Sequence, residues 1–242
     1  MNKRYIFKYI ISFVFLLFIN LSWSQKDSLQ IAEKDSLKPR LINSIRVGVD
    51  LSRPITQLIQ KQDIGLEVTT DIRLKNNWYL AADFGYESEP TEEDYIHIHS
   101  KGSYTKLGFN YNAYENLKGM NNEVYVGMRY GFSSFQQELI SYSALDFDNY
   151  FGEYFANPNT TFDGLTAHWA ALHFGLKVET LPNLYLSVGV HFKKLLGDKK
   201  PEGFDNLYIP GFGSVLLNNN AVGFNYTISY LIPLSKKIIK QN

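Results

Sequence analysis

The sequence predicts an all-β protein: an eight-stranded antiparallel up-and-down transmembrane β-barrel with short periplasmic turns and long extracellular loops. Three observations predict it. Apolar and polar residues alternate with period 2 through eight segments of about ten residues, the length a tilted strand needs to cross a bilayer. Glycines recur on the polar side of that alternation and not on the apolar side. The links between segments are alternately short and long, as in outer-membrane barrels.

The first segment sets Ile45, Val47, Val49 and Leu51 against Arg46, Gly48, Asp50 and Ser52. The second opposes Ile64, Leu66, Val68, Ile72 and Leu74 to Gly65, Glu67, Thr69, Asp71 and Arg73, and the third Trp78, Leu80, Ala82, Phe84 and Tyr86 to Ala81, Asp83, Gly85 and Glu87. In the fourth, Leu107, Phe109 and Tyr111 oppose Lys106, Gly108, Asn110 and Asn112; in the fifth, Val124, Val126, Met128, Tyr130 and Phe132 oppose Gly127, Arg129, Gly131 and Ser133. The sixth runs Leu172 to Val178 against His173, Gly175, Lys177 and Glu179, and the seventh Leu186 to Phe192 against Ser187, Gly189, His191 and Lys193. The last sets Val222, Phe224, Tyr226, Ile228, Tyr230 and Ile232 against Gly223, Asn225, Thr227 and Ser229.

A soluble sandwich also alternates, so periodicity alone does not choose the solvent. Glycine weakens a strand and belongs where the backbone must leave room. The interior of an eight-stranded barrel is narrow enough to need such room, whereas a wet outer face is not. The polar faces are therefore expected inside. They carry Arg46, Arg73, Lys106, Arg129, Lys177 and Lys193 against Asp50, Glu67, Asp71, Asp83, Glu87 and Glu179. Six charges of each sign predict a salt-bridged interior plug and argue against a water-filled pore.

The short links 75–77, 116–122 and 181–183 hold the Asn, Gly and Pro of tight turns, while 53–63, 88–103, 134–166 and 194–220 are long. An even strand count places both termini on the periplasmic side. Trp78, Tyr111 and Tyr230 then fall near the periplasmic rim, and Tyr86, Phe132, Phe192 and Phe224 near the outer one, as aromatic girdles.

The flanks complete the domain plan. Residues 1–24 read as a signal peptide, with Lys3, Arg4 and Lys8, an apolar run and small residues at Ser22 and Ser24. Residues 25–43 read as a flexible periplasmic segment, 44–235 as the barrel and 236–242 as a basic periplasmic tail. The expected location is the outer membrane of a Gram-negative bacterium. The 242 residues hold 24 basic and 24 acidic groups; without the three basic residues of the leader the balance turns mildly acidic, which argues against nucleic acid as a partner. The absence of cysteine excludes a lipid-anchored lipoprotein and any disulfide.

The run 205–212, Asp-Asn-Leu-Tyr-Ile-Pro-Gly-Phe, with Gly223-Phe224-Asn225-Tyr226-Thr227-Ile228-Ser229-Tyr230-Leu231-Ile232-Pro233, resembles a family of uncharacterised small outer-membrane proteins of Bacteroidota. The likeness extends to Tyr130-Gly131-Phe132-Ser133 and is similar in architecture, not in motif, to the OmpX and OmpA barrels. It implies location and fold and carries no catalytic residues. Many barrels end on an aromatic residue read by the insertion machinery, whereas this chain continues to Gln241 and Asn242, so such a signal is expected internally, around 226–230.

Candidate sites fall in the loops and on two interior strands. Glu92, Glu93, Asp94, His97, His99 and Ser100 contain the residue types of a nucleophilic or metal site, but Ser100 directly after His99 is no recognised signature and no third metal ligand is spaced for it. His173 and His191 read as hydrogen-bonded plug residues ahead of a proton relay. The third loop gathers Tyr142, Phe147, Tyr150, Phe151, Tyr154, Phe155 and Phe162 among acidic residues, and the fourth adds Phe204, Tyr208, Ile209 and Phe212; exposed aromatics beside charges suit a protein interface. Asp27-Ser28-Leu29 and Asp35-Ser36-Leu37 match a short O-glycosylation pattern. The expectation is a non-enzymatic barrel, without cofactor, that contacts outer-membrane lipid. Its loops are expected to bind a protein partner at the cell surface, for example as an accessory subunit of a larger assembly. The alternatives are a rim enzyme acting on lipid or lipopolysaccharide, and a narrow channel.

Overall fold

The computed structural model describes residues 43–55, 65–75, 77–93, 95–116, 121–144, 154–156 and 158–235. All belong to one compact unit, Pro39–Asn242. The expected leader, the polar segment with Ser28 and Ser36, and the basic tail lie outside the described residues.

The strands are β1 Asn43–Asp50, β2 Gly65–Lys75, β3 Trp78–Glu93, β4 Ile96–Asn112, β5 Glu123–Ala144, β6 Tyr154–Ala156, β7 Thr160–Leu181, β8 Leu184–Asp198, β9 Tyr208–Ile209, β10 Gly213–Ser214 and β11 Asn220–Ser235. Eight of them form a ring. Each of β1, β2, β3, β4, β5, β7, β8 and β11 pairs antiparallel with the next, and β11 returns to β1 with Val47 opposite Tyr230 and Asp50 opposite Thr227. Closure leaves no sheet edge around the ring, which is the reason a single sheet of this length is stable without a second layer.

The alternation in the sequence becomes inside and outside. On β3, Asp83 is 5% exposed and its neighbour Phe84 53%. The same inversion holds on every long strand, so that Leu66, Leu107, Tyr130, Leu172, Phe192 and Phe224 are exposed while Glu67, Lys106, Arg129, His173 and Lys193 are buried. At the short-turn end Trp78 packs on Tyr111 with ring centroids 5.1 Å apart.

Inward glycines make room for rings. A Cβ on Gly131 would sit 2.1 Å from the Trp169 indole, and one on Gly85 2.3 Å from the Tyr104 ring. The expectation that glycines relieve crowding therefore applies first to interior aromatics, which are wider than the extended charged chains. Trp169, Tyr104, Phe135, Leu165 and Leu195 form a buried cluster near the long-loop end, joined there by Ile209 and Phe212.

Two of the segments expected as long loops are largely strand. Residues 88–103 continue the β3–β4 hairpin to Glu93 opposite Ile96, and 134–144 continue β5 against both β4 and β7. β2 meets β3 only as far as Glu87, and β8 meets β7 only up to Ala167, so β3, β4, β5 and β7 run on past the ring as a four-stranded extension. The reason this escapes hydropathy is that both faces lose contrast there: Ser88, Glu92, His97, His99, Lys101, Gln136 and Glu138 point the way that apolar residues point lower down. The ladder hydrogen bonds hold the strands without an amphipathic signal.

Candidate functional site

The interior is built in layers from residues that alternation turns inward. In the layer nearest the short turns, the Arg46 guanidinium donates to Asp71 at 2.6 Å and to both oxygens of Glu123 at 2.7 and 3.1 Å. It lies between the rings of Tyr79 and Tyr185, at 4.8 and 5.2 Å from their centroids. Lys177 donates to the other Asp71 oxygen at 2.6 Å. Two cations thus meet two carboxylates with every charge hydrogen-bonded, the condition under which buried charge is tolerated.

In the middle layer, Lys106 donates to both Glu67 oxygens at 2.8 and 2.7 Å, and the Tyr104 hydroxyl to Glu67 at 2.6 Å. Arg129 reaches Asp83 at 3.3 Å and Asn110 at 2.9 Å. The rings of His173 and His191 lie 3.9 Å apart, and His191 Nε2 is 2.8 Å from Asn225 Oδ1. Glu67, Asp83, Arg129, His173, His191 and Asn225 are among the residues that line a polar cavity of about 40 Å³, enough for a few water molecules. His173 Nε2, His191 Nδ1 and Ser229 Oγ are buried there without a protein partner, which suits internal water.

At the long-loop mouth the residues serve a different purpose. Glu87 accepts the Tyr208 hydroxyl at 2.7 Å, the Gly211 amide at 2.9 Å and the Tyr104 hydroxyl at 3.2 Å, and pairs with Arg53 at 3.3 Å. Lys193 donates to the carbonyls of Gly211 and Phe212, both at 3.0 Å. The segment between β8 and β11 is thereby drawn into the barrel, where β9 and β10 form a small hairpin. Gly211 adopts φ +80 with its Cα against the Tyr104 ring, a place where a side chain would be strained and a Cβ would lie 2.4 Å from that ring. Burial and the Glu87 carboxylate hold the Tyr208 hydroxyl well above the usual tyrosine range, so it stays a donor. Burial disfavours the Arg53 charge, but Glu87 together with Tyr208, Tyr104 and Glu89 outweighs that and raises its pKa above the ordinary arginine value.

Several expected sites are corrected by this arrangement. Tyr208 and Phe212, expected on a surface loop, are 4% and 1% exposed because Glu87 and Lys193 fix their segment inside; they seal the barrel and present no binding face. Phe204 is half-buried against Phe162 at 5.3 Å. Glu179 is a turn group rather than part of the plug: it accepts from the Asn183 amide and Asn121, both at 3.0 Å. Asp50 is buried but accepts backbone N–H groups of Ser52 and Tyr226 at 2.8 and 3.3 Å. Arg73 lies half-buried over the Tyr79 ring at 5.6 Å. Phe147, Tyr150 and Phe151 lie outside the described residues; Tyr142 is half-buried on β5 opposite Ala156, and Tyr154 and Phe155 belong to β6.

Ser100 is wholly buried on the inward face of β4, whereas His97 and His99 face outward, so the three do not assemble. Among the described residues no group of three or more His, Asp or Glu could hold a metal ion. Glu123, Tyr79, Tyr125 and Tyr185 are interior groups the sequence reading left out. Each falls on the inward parity of its strand, and that signal would have found them.

A closed, up-and-down eight-stranded antiparallel barrel with a packed, ion-paired interior is the class these features define. The chain belongs to the family described as domain of unknown function (DUF6048), whose model matches residues 6–237. No curated protein matches it.

Proposed function

We propose that the protein is an outer-membrane barrel with a structural interior, and that its role is carried by the four-stranded extension, which docks a protein partner at the cell surface. The observation that carries the membrane reading is the outward belt. From Trp78 to Tyr86, Val124 to Phe132, Ala170 to Val178 and Val222 to Ile232, outward positions are apolar, and past Tyr86 and Phe132 they turn polar at Ser88 and Ser134. Stretches of this length on strands tilted as in barrels span roughly 20–25 Å, the height of an outer-membrane apolar band. A soluble barrel would require the opposite faces, apolar within and wet outside.

The packed interior argues against conduction. What remains for recognition is the part beyond the belt, where Tyr95 and Ile140 are exposed near the tip and Tyr142 stands beside them on the sheet. A rigid sheet presenting aromatic and aliphatic anchors amid polar neighbours suits a protein interface.

Photocrosslinking in cells tests this reading. A photoreactive residue at Ile140 is expected to give a discrete protein adduct in the outer-membrane fraction, and one at Phe174 adducts with lipid alone. Protein adducts at Phe174, or recovery in the soluble fraction, would contradict it.

A further inference from the structure

We propose that the outward face of the extension carries an ester-cleaving site, with Ser88 as nucleophile and His99 as its base, acting on carboxylic esters of lipids at the membrane boundary. Ser88 Oγ and His99 Nε2 lie 2.9 Å apart, the contact a serine needs to pass its proton to an imidazole. The pair is diagonal on adjacent strands: Ser88 stands opposite Lys101, and His99 opposite Pro90.

The next strand completes the chemistry. On β5, Glu138 is opposite His99 and Gln136 opposite Lys101. Directly opposed side chains on one face begin roughly 5 Å apart, within reach for long residues. Glu138 is therefore the carboxylate available to orient the imidazole, and Lys101 the cation available to a developing oxyanion. The sheet's own amides are committed to ladder bonds, so a side chain must supply that charge. Ser88, His99, Lys101, Gln136 and Glu138 are all partly exposed, and so open to substrate.

Position indicates the substrate class, and this step rests on the membrane reading above. Ser88 lies one outward position beyond Tyr86, the last apolar residue of β3, roughly 7 Å further along the strand. That is the level at which the acyl esters of a bilayer lipid lie, between hydrocarbon and headgroup.

The reaction balances without a cofactor. Ser88 Oγ bonds to the ester carbonyl carbon as its proton passes to His99 Nε2, and the carbonyl electron pair moves onto oxygen beside Lys101. Collapse breaks the bond to the alcohol oxygen, which leaves with the His99 proton. Water then attacks the acyl-Ser88 by the same relay, releasing the fatty acid and restoring the serine.

The test uses the full chain, refolded in detergent and checked for the heat-dependent gel mobility of a closed barrel. An alkyl fluorophosphonate is expected to modify Ser88, identified by peptide mass spectrometry; Ser88→Ala abolishes the adduct and His99→Gln slows it on the order of 100-fold. The titratable neighbours on this face are Glu92, His97, Lys101 and Glu138. As a positioning residue, Glu138 is tested by Glu138→Gln, expected to lower kcat for p-nitrophenyl butyrate hydrolysis with KM unchanged, and by Glu138→Asp, expected to restore part of that loss. A folded protein that leaves Ser88 unmodified, or that reacts equally fast as His99→Gln, overturns the proposal. Turnover of the soluble ester without release of fatty acid from phospholipid vesicles overturns the substrate class. Failure to insert into those vesicles is read separately and counts against the membrane reading alone.

Discussion

The Glu87 carboxylate accepts the Tyr208 hydroxyl at 2.7 Å across 121 positions of the chain, and in doing so fixes a long inter-strand segment inside the barrel mouth. The same oxygen takes the Gly211 amide at 2.9 Å.

Glu87→Ala leaves those buried donors without an acceptor, and should cost about 2–4 kcal/mol, several unmet donors at about 1 kcal/mol or more each. The segment 199–216 should then exchange its amide hydrogens markedly faster while the belt strands stay protected, as hydrogen exchange with mass spectrometry would reveal. Uniform exchange in wild type and variant would mean that Glu87 is not the anchor.

Arg46→Ala removes the partner of Asp71 and Glu123 in the layer nearest the short turns. Breaking a buried pair from one side costs about 3–5 kcal/mol. Arg73→Ala, at a half-buried position over an aromatic ring, should cost less than about 1 kcal/mol. Urea unfolding from lipid vesicles would rank the two, and equal losses would contradict the layered interior.

Gly131→Ala places a methyl 2.1 Å from the Trp169 indole, which the barrel wall cannot yield to freely. A loss of about 1–3 kcal/mol is expected. Gly223→Ala meets only the Lys193 ammonium, at 3.3 Å, and should cost less than Gly131→Ala. Midpoints of unfolding for both variants check this.

Depth should govern the cost of charge on the outer face. Met128→Arg, in the middle of the belt, should destabilise by about 2–4 kcal/mol, and Gln136→Arg, beyond it, by about 0–1 kcal/mol. Equal small effects in vesicles would mean that water covers both positions.

The eight strands, their faces and the inward glycines were legible because a narrow polar interior and an apolar outward face give strict period-2 contrast, as at Asp83 and Phe84. Contrast is also what failed higher up. Ser88, His99 and Glu138 sit on strands whose outward face is polar and whose inward face is mixed, Ile98 and Phe135 beside Ser100 and Gln137, so hydropathy shows no regular contrast, and the Ser88–His99 contact depends on a cross-strand register that no local pattern encodes. The burial of Tyr208 and Phe212 was hidden for a related reason: aromatic residues in a polar link look exposed until the distant Glu87 and Lys193 are known to face them. Charged residues of the same inward parity still differ in role, since Glu179 caps a turn and Asp50 binds backbone amides, distinctions set by neighbours in space.

Fluorescence quenching of tryptophan in vesicles of lipid brominated near the headgroup end of the acyl chains shows whether the outward belt meets lipid. Trp78 is 46% exposed on the apolar belt and Trp169 is fully buried within. Strong quenching is expected that disappears in Trp78→Phe, with Trp169 emission preserved. Quenching equal to that in unbrominated lipid, in a chain shown to be folded, would contradict a lipid-facing belt.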